Sequence, residues 1–118
     1  SASETIVAAA TPAGRSALAI VRVDGPLASA IATAALARKT PLSEKTSTLG
    51  IWRNQDGEAI DQVVAVLWHA SRSFTSNDSL EITCHGNPLI VRRLTEDCLA
   101  RGGRLAEPGE FTRRSYLA

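Results

Sequence analysis

Short runs rich in β-branched residues stand before, between and after the helical segments of this chain, and two of them are joined by a tight polar turn. That interleaving leaves few architectures open. Thr5 to Ala10 and Ala17 to Val23 read as two strands around Thr11-Pro12-Ala13-Gly14, a Pro/Gly turn. Ser47 to Trp52 and Val63 to Trp68 read as a hairpin whose turn contains Asn54-Gln55-Asp56-Gly57. A polar loop from Ala70 to Asp78 leads into Leu80-Glu81-Ile82-Thr83-Cys84, and Arg104-Leu105-Ala106 makes a short last strand. Asp24-Gly25-Pro26 opens a helix with Pro26 near its first turn and an apolar stripe of Leu27, Ile31, Ala34 and Leu36. Gly86-Asn87-Pro88 starts another that runs through Leu99, with Leu89, Val91, Leu94 and Cys98 as core residues, and Gly102-Gly103 ends it. A third follows Pro108-Gly109-Glu110 and reaches Ala118. Hairpin and crossover connections together favour an α+β domain, a mixed sheet with about three helices, over a doubly wound one.

The bulk properties narrow the function classes. A chain of 118 residues with 44% hydrophobic content fills one ordinary core, so residues 1–118 are expected to form a single domain. A net charge of +1 argues against a dominant polyanion-binding surface. The longest apolar stretch, Leu27 to Ala37, is about half the ~20 residues needed to span a bilayer, so a soluble, cytoplasmic protein with no membrane partner is expected. Cys84 and Cys98 are too few for a disulfide framework and fit a reducing compartment. No methionine occurs, even at position 1, which implies a processed or trimmed amino terminus and a longer natural protein.

Several chemical constellations are weak. A phosphate-binding loop needs glycines ahead of a Lys-Ser/Thr pair, and Gly14-Arg15-Ser16 has neither, so it reads as a turn. Cys84 and His85 are strand neighbours pointing to opposite faces and make a poor nucleophile–base dyad. A zinc site from His69, Cys84, His85 and Cys98 lacks a short ligand spacing, and core packing accounts better for both cysteines. Ser73, Asp78 and His85 supply triad residue types without a nucleophile elbow. No catalytic or metal-ligating residue is therefore assigned. The arginines from Arg92 to Arg114 are interspersed with Glu96, Asp97, Glu107 and Glu110 and read as a solvated mixed-charge surface.

Arg22 and Glu81 stand apart, because each is a charge inside a strand whose neighbours look buried, and an unpaired buried charge costs several kcal/mol, roughly. They pair with each other or reach solvent at a sheet edge, or they meet a flat heterocyclic ligand whose donors face Glu81 and whose acceptor or negative group faces Arg22. Strand alternation places Glu81, Thr83 and His85 on one face and Leu80, Ile82 and Cys84 on the other.

Five stretches, taken in order, carry a resemblance. They are Thr5-Ile6-Val7-Ala8 running into Thr11-Pro12-Ala13-Gly14-Arg15, the Arg22 strand ending in Gly25, Ser73-Phe74-Thr75, Glu81 through His85-Gly86 and Pro88, and Ala106-Glu107-Pro108-Gly109-Glu110-Phe111-Thr112-Arg113-Arg114. The chain resembles the amino-terminal domain of the MnmE/TrmE family of tRNA-modification GTPases over nearly its whole length. Departures are Ser16, Ser76-Asn77, Asn87 and Ala118, where the family has Gly, Gly-Glu, Gly and Asn.

The resemblance implies a tetrahydrofolate-binding fold like that of one-carbon transfer proteins. It implies binding of 5-formyltetrahydrofolate or 5,10-methylenetetrahydrofolate at Arg22 and Glu81, and homodimerisation. A carboxylate presents two acceptors to the amino-pyrimidine edge of a pterin, and an arginine meets an acceptor oxygen or the acidic tail. The family's full-length proteins also bind GTP, magnesium and potassium, and work with an MnmG/GidA-like FAD protein on the wobble uridine of certain tRNAs. The helical and GTPase domains, and the Asn-Gly-Lys segment whose lysine joins the folate site, do not occur in this sequence. A structural dimerisation module that has lost folate binding is the alternative expectation.

Overall fold

The computed structural model describes residues 4–10, 17–70, 73, 75 and 77–117. The turn expected at 11–14, Gly14-Arg15-Ser16, Phe74, Ser76 and Ala118 lie outside the described residues. The elements in chain order are β1 (Ile6–Ala9), β2 (Leu18–Asp24), α1 (Ala28–Ala35), β3 (Thr48–Arg53), β4 (Ala59–Trp68), β5 (Ser79–His85), α2 (Pro88–Ala100), β6 (Arg104–Leu105) and α3 (Glu110–Leu117). The strands form one sheet in the order β3-β4-β5-β2-β1-β6, antiparallel except for the β1–β6 pair. This is the α+β domain with a mixed sheet and three helices that the sequence predicts.

β4 starts at Ala59, earlier than the expected Val63. The Asn54 side chain accepts the backbone N–H of Asp56 and of Glu58, each at 2.9 Å, which closes the turn tightly enough for pairing to resume at Arg53–Ala59.

Period-two alternation then sorts the sheet. Ala19, Val21 and Val23 of β2, Val63, Ala65 and Leu67 of β4, and Leu80, Ile82 and Cys84 of β5 are all buried in one core. Ile31, Ala32 and Ala35 of α1 and Leu94 and Cys98 of α2 complete that core on the helix-covered face.

The helix stripes differ from expectation in detail. α1 begins only at Ala28 and buries Ala28, Ile31, Ala32 and Ala35, while Leu27 and Ala34 are exposed and Leu36 is half-buried. Gly25 causes the shift. Its φ is +144°, and a Cβ there would stand 2.5 Å from Thr5 Cα. The chain therefore turns against β1, where the Leu27 N–H donates to Thr5 Oγ1 at 2.9 Å, before the helix can start. In α2, capped by the Asn87 side chain on the Leu89 N–H, Leu89 is exposed instead of buried. It lies roughly 200° around the helix from Val91 and 180° from Cys98, so those residues cannot share a face with it.

Among the described residues, the opposite face of the sheet is only partly covered. Asp24 and Ile6, opposite each other in register, are fully buried on that side. Leu18, Leu49 and Ile51 on the same face are exposed.

Candidate functional site

Arg22 and Glu81 are direct partners in the β2–β5 register, and Arg22 Nη2 lies 3.5 Å from Glu81 Oε2. Neither sits in a buried environment. Their side chains retain 48% and 31% of their exposure, because alternation assigns residues 19, 21, 23 and 80, 82, 84 to the helix-covered face and leaves 22 and 81 on the other. Of the possibilities left open for these two charges, the structure shows them paired with each other, and they reach solvent across the open face rather than at a sheet edge. A half-exposed pair of this kind is worth at most about 1 kcal/mol, so a ligand can open it at little cost.

The two side chains line a cleft of about 440 Å³. Trp68 of β4 and Ser79 of β5 belong to its sheet side, Ser73 and Thr75 come from the loop before β5, and Phe111, Thr112 and Ser115 come from α3. The volume falls within the ordinary range for small-molecule sites, and the mixture of two aromatic rings with a few convergent polar groups suits a flat, hydrogen-bonding heterocycle.

Two walls of the cleft are fixed by a buried ionic cluster. Asp24, with no solvent exposure, accepts from Arg114 Nη1 at 3.0 Å and from the Thr75 hydroxyl. Arg114 also donates to the Asp24 carbonyl at 3.2 Å and the Glu4 carbonyl at 2.8 Å. Glu110 is held by Arg104 at 2.7 and 3.0 Å and accepts the Glu107 N–H at 2.8 Å. The Arg104 guanidinium and the backbone N–H of Glu107 hold the Glu110 carboxyl down at about 2. A second cluster joins Asp97, Arg101 and Trp52 on the other side of the molecule. The mixed-charge reading of the last third is thus corrected: Arg92–Glu96 is a surface pair, whereas Arg101, Arg104 and Arg114 engage partly or wholly buried carboxylates. Sequence gave no signal for Asp24 with Arg114, whose positions are 90 residues apart.

The other constellations separate. Ser73 donates to the Asn77 carbonyl, Asp78 accepts the Ala70 N–H at 3.0 Å and lies 3.9 Å from His69, and His85 turns to Asp61, so no Ser–Asp–His relay forms. Asp61 Oδ1 is 2.9 Å from His85 Nδ1, and Asp61 Oδ2 accepts the His85 N–H at 2.8 Å. A carboxylate only accepts, so Nδ1 carries the proton and Nε2 is left available on an exposed ring. Sequence reasoning missed that partner, which lies 24 residues away on β4. Cys84 and Cys98 are buried free thiols. Burial, with the Asp61 charge second, pushes Cys84 up to about 11, and burial, with Asp97 second, pushes Cys98 up to about 12. Among the described residues no group of three His, Cys, Asp or Glu side chains is placed to hold a metal, and no helix is long and apolar enough to cross a membrane.

Residues 5–118 match the family described as GTP-binding protein TrmE N-terminus. The chain belongs to this family. Its curated relatives carry the name tRNA modification GTPase MnmE. The Thermotoga maritima protein is 41% identical over 114 residues, covering 97% of this chain and 25% of the relative. The Opitutus terrae protein is 48% identical over 114 residues with the same coverage, and that of Geobacter sulfurreducens is 45% identical over 117 residues, covering 97% of this chain and 26% of the relative. The chain therefore spans about a quarter of the length of these relatives and matches the TrmE amino-terminal part of them.

Proposed function

We propose that the cleft binds a tetrahydrofolate derivative, 5-formyltetrahydrofolate or 5,10-methylenetetrahydrofolate, within a tRNA-modification GTPase. The observation that carries this reading is the Arg22–Glu81 pair, in register at 3.5 Å and lining the cleft that Trp68 and Phe111 also line. Glu81 supplies two acceptors for the amino-pyrimidine edge of a pterin, Arg22 supplies donors for an oxygen or the acidic tail, and the rings offer stacking surface. The donor set thus fits the group. The domain would bind and orient the one-carbon carrier, while GTP with magnesium and potassium, the FAD-dependent MnmG/GidA-like partner and the tRNA wobble uridine belong to the reaction of the longer protein. Titration with 5-formyltetrahydrofolate by calorimetry tests this. Saturable binding that falls at least tenfold in both Arg22→Ala and Glu81→Ala is expected, and binding unchanged in both variants rejects the site.

A second reading, self-association, is favoured by one observation: Leu18, Leu49 and Ile51 are exposed on the same open sheet face. A second copy of the chain covering them would make a homodimer, with or without ligand. Sedimentation equilibrium is expected to show a concentration-dependent dimer that Leu49→Lys disrupts, and a monomer at high concentration counts against it.

A further inference from the structure

We infer that Asp24 is a positioning residue for the ligand of this cleft, coupling its occupancy to the docking of α3. The inference rests on the folate reading above. Asp24 follows Arg22 by two positions on β2 and so shares its face. It has no exposure and does not line the cleft, yet both of its carboxylate oxygens are spent on residues that shape it. Oδ2 accepts from Thr75, which lines the loop wall, and Oδ1 takes Arg114 Nη1 at 3.0 Å, one turn or less from Phe111, Thr112 and Ser115 on the helical wall. The loop is tied to the same point again by the Gly25 N–H, which donates to the Asp78 carbonyl at 2.8 Å.

The character of α3 makes this anchor decisive. Among its described side chains only Glu110 and Arg114 are buried, and both are charged. Phe111 is only half-buried, at the cleft. A helix anchored, among its described side chains, by two buried ionic residues can open below the free energy of global unfolding. Opening would remove Phe111, Thr112 and Ser115 from the ligand, so a ligand that needs them must favour the docked helix. By linkage, the docked state gains a factor of 1 + [L]/Kd, so occupancy of the cleft is read out in the docking of α3.

The test combines calorimetry with hydrogen exchange on the intact 118-residue chain, using 5-formyltetrahydrofolate as probe. At a free ligand concentration of ~100 times Kd, exchange of the α3 amides should slow by up to about 100-fold. Asp24→Asn, which keeps the shape and loses the charge, should weaken binding about tenfold or more and speed α3 exchange in the absence of ligand. Thr75→Val leaves the Asp24–Arg114 pair in place, and should weaken binding several-fold without speeding α3 exchange in the unliganded chain. This second variant tests positioning even where Asp24→Asn fails to fold. Binding with α3 exchange unaltered by ligand overturns the coupling and leaves the folate reading intact. Wild-type affinity in Thr75→Val overturns positioning. Absence of any binding to the wild-type chain rejects the folate reading and the inference together.

Discussion

Asp97 is a residue whose removal should cost this domain heavily. Its Oδ2 accepts from Trp52 Nε1 and from Arg101 Nε, both at 2.8 Å, and Arg101 continues to the Arg53 carbonyl at 2.8 Å. Trp52 is fully buried, Asp97 is 6% exposed, and the Arg101 side chain is 12% exposed, so water cannot replace the carboxylate freely. Asp97→Ala leaves a guanidinium and an indole N–H without their acceptor, and the cost should be about 3–5 kcal/mol, the range for breaking one side of a buried pair. A chain of this length has a total stability of roughly 6–18 kcal/mol, so the variant should still fold. With a urea m-value of about 2 kcal/mol/M the midpoint falls by about 2 M. Trp52→Phe alone should cost about 2 kcal/mol, and the double variant should reveal a coupling of about 1.5–3 kcal/mol, as for a hydrogen bond to a charged acceptor. Circular dichroism and tryptophan fluorescence through a urea titration measure all three. A coupling below about 0.5 kcal/mol would refute the reasoning, because the indole–carboxylate bond would then carry no energy of its own.

Stability should also depend on Glu110. Its folded-state value of about 2 lies below the ordinary 4.5, so its contribution is complete above pH 4.5 and is lost as pH falls through 2. Urea midpoints should decline from pH 5 to pH 2 in the wild-type chain and decline less in Glu110→Gln; equal slopes contradict the assignment. Both thiols, at about 11 and 12, should react with a disulfide reagent at pH 8 only as fast as the chain opens, and reaction of Cys84 at a free-thiol rate would show that it is not protected. Gly25→Ala should destabilise the fold by about 2 kcal/mol or more, since the new Cβ meets Thr5 Cα at 2.5 Å with φ at +144°; a thermal midpoint within 1 °C or so of wild type would argue that the turn relaxes freely.

What sequence could and could not reveal follows from the range of the interactions involved. Turns, strand alternation and helix caps are set within a few residues, so the elements were legible from Asn54-Gln55-Asp56-Gly57, Leu80 to Cys84 and Asn87-Pro88. Alternation shows which residues share a face but not what covers that face. Arg22 and Glu81 could therefore be recognised as charges that need a partner or solvent, while which of pairing, exposure or a ligand meets them depended on what covers their face. The ionic clusters were illegible for a related reason. Asp97 and Arg101 have the same four-residue spacing as the surface pair Arg92 and Glu96, and only the indole of Trp52, 45 residues from Asp97, distinguishes a buried carboxylate from a solvated one.

The open face of the sheet decides how the candidate site is built. Two helices fill one face with apolar side chains and make the main core of the fold. On the other face the described part of α3 lies over one end, held by Arg114 on Asp24 and by Glu110 on Arg104, and the cleft lies where that cover meets the sheet. Arg22 and Glu81 lie at this boundary, near enough to the ionic anchor to be walled and far enough from it to remain open. Moving either charge two residues along its strand would place it at Asp24 and Ser79, beneath the anchored end, or at Ile20 and Thr83, farther from it. A charge pair on the other alternation phase would fall in the helix-covered core, where a polar ligand has no path. The position of the pair therefore follows from the strand period, which puts both charges on the face opposite the helix-covered core, and from the place where α3 is anchored.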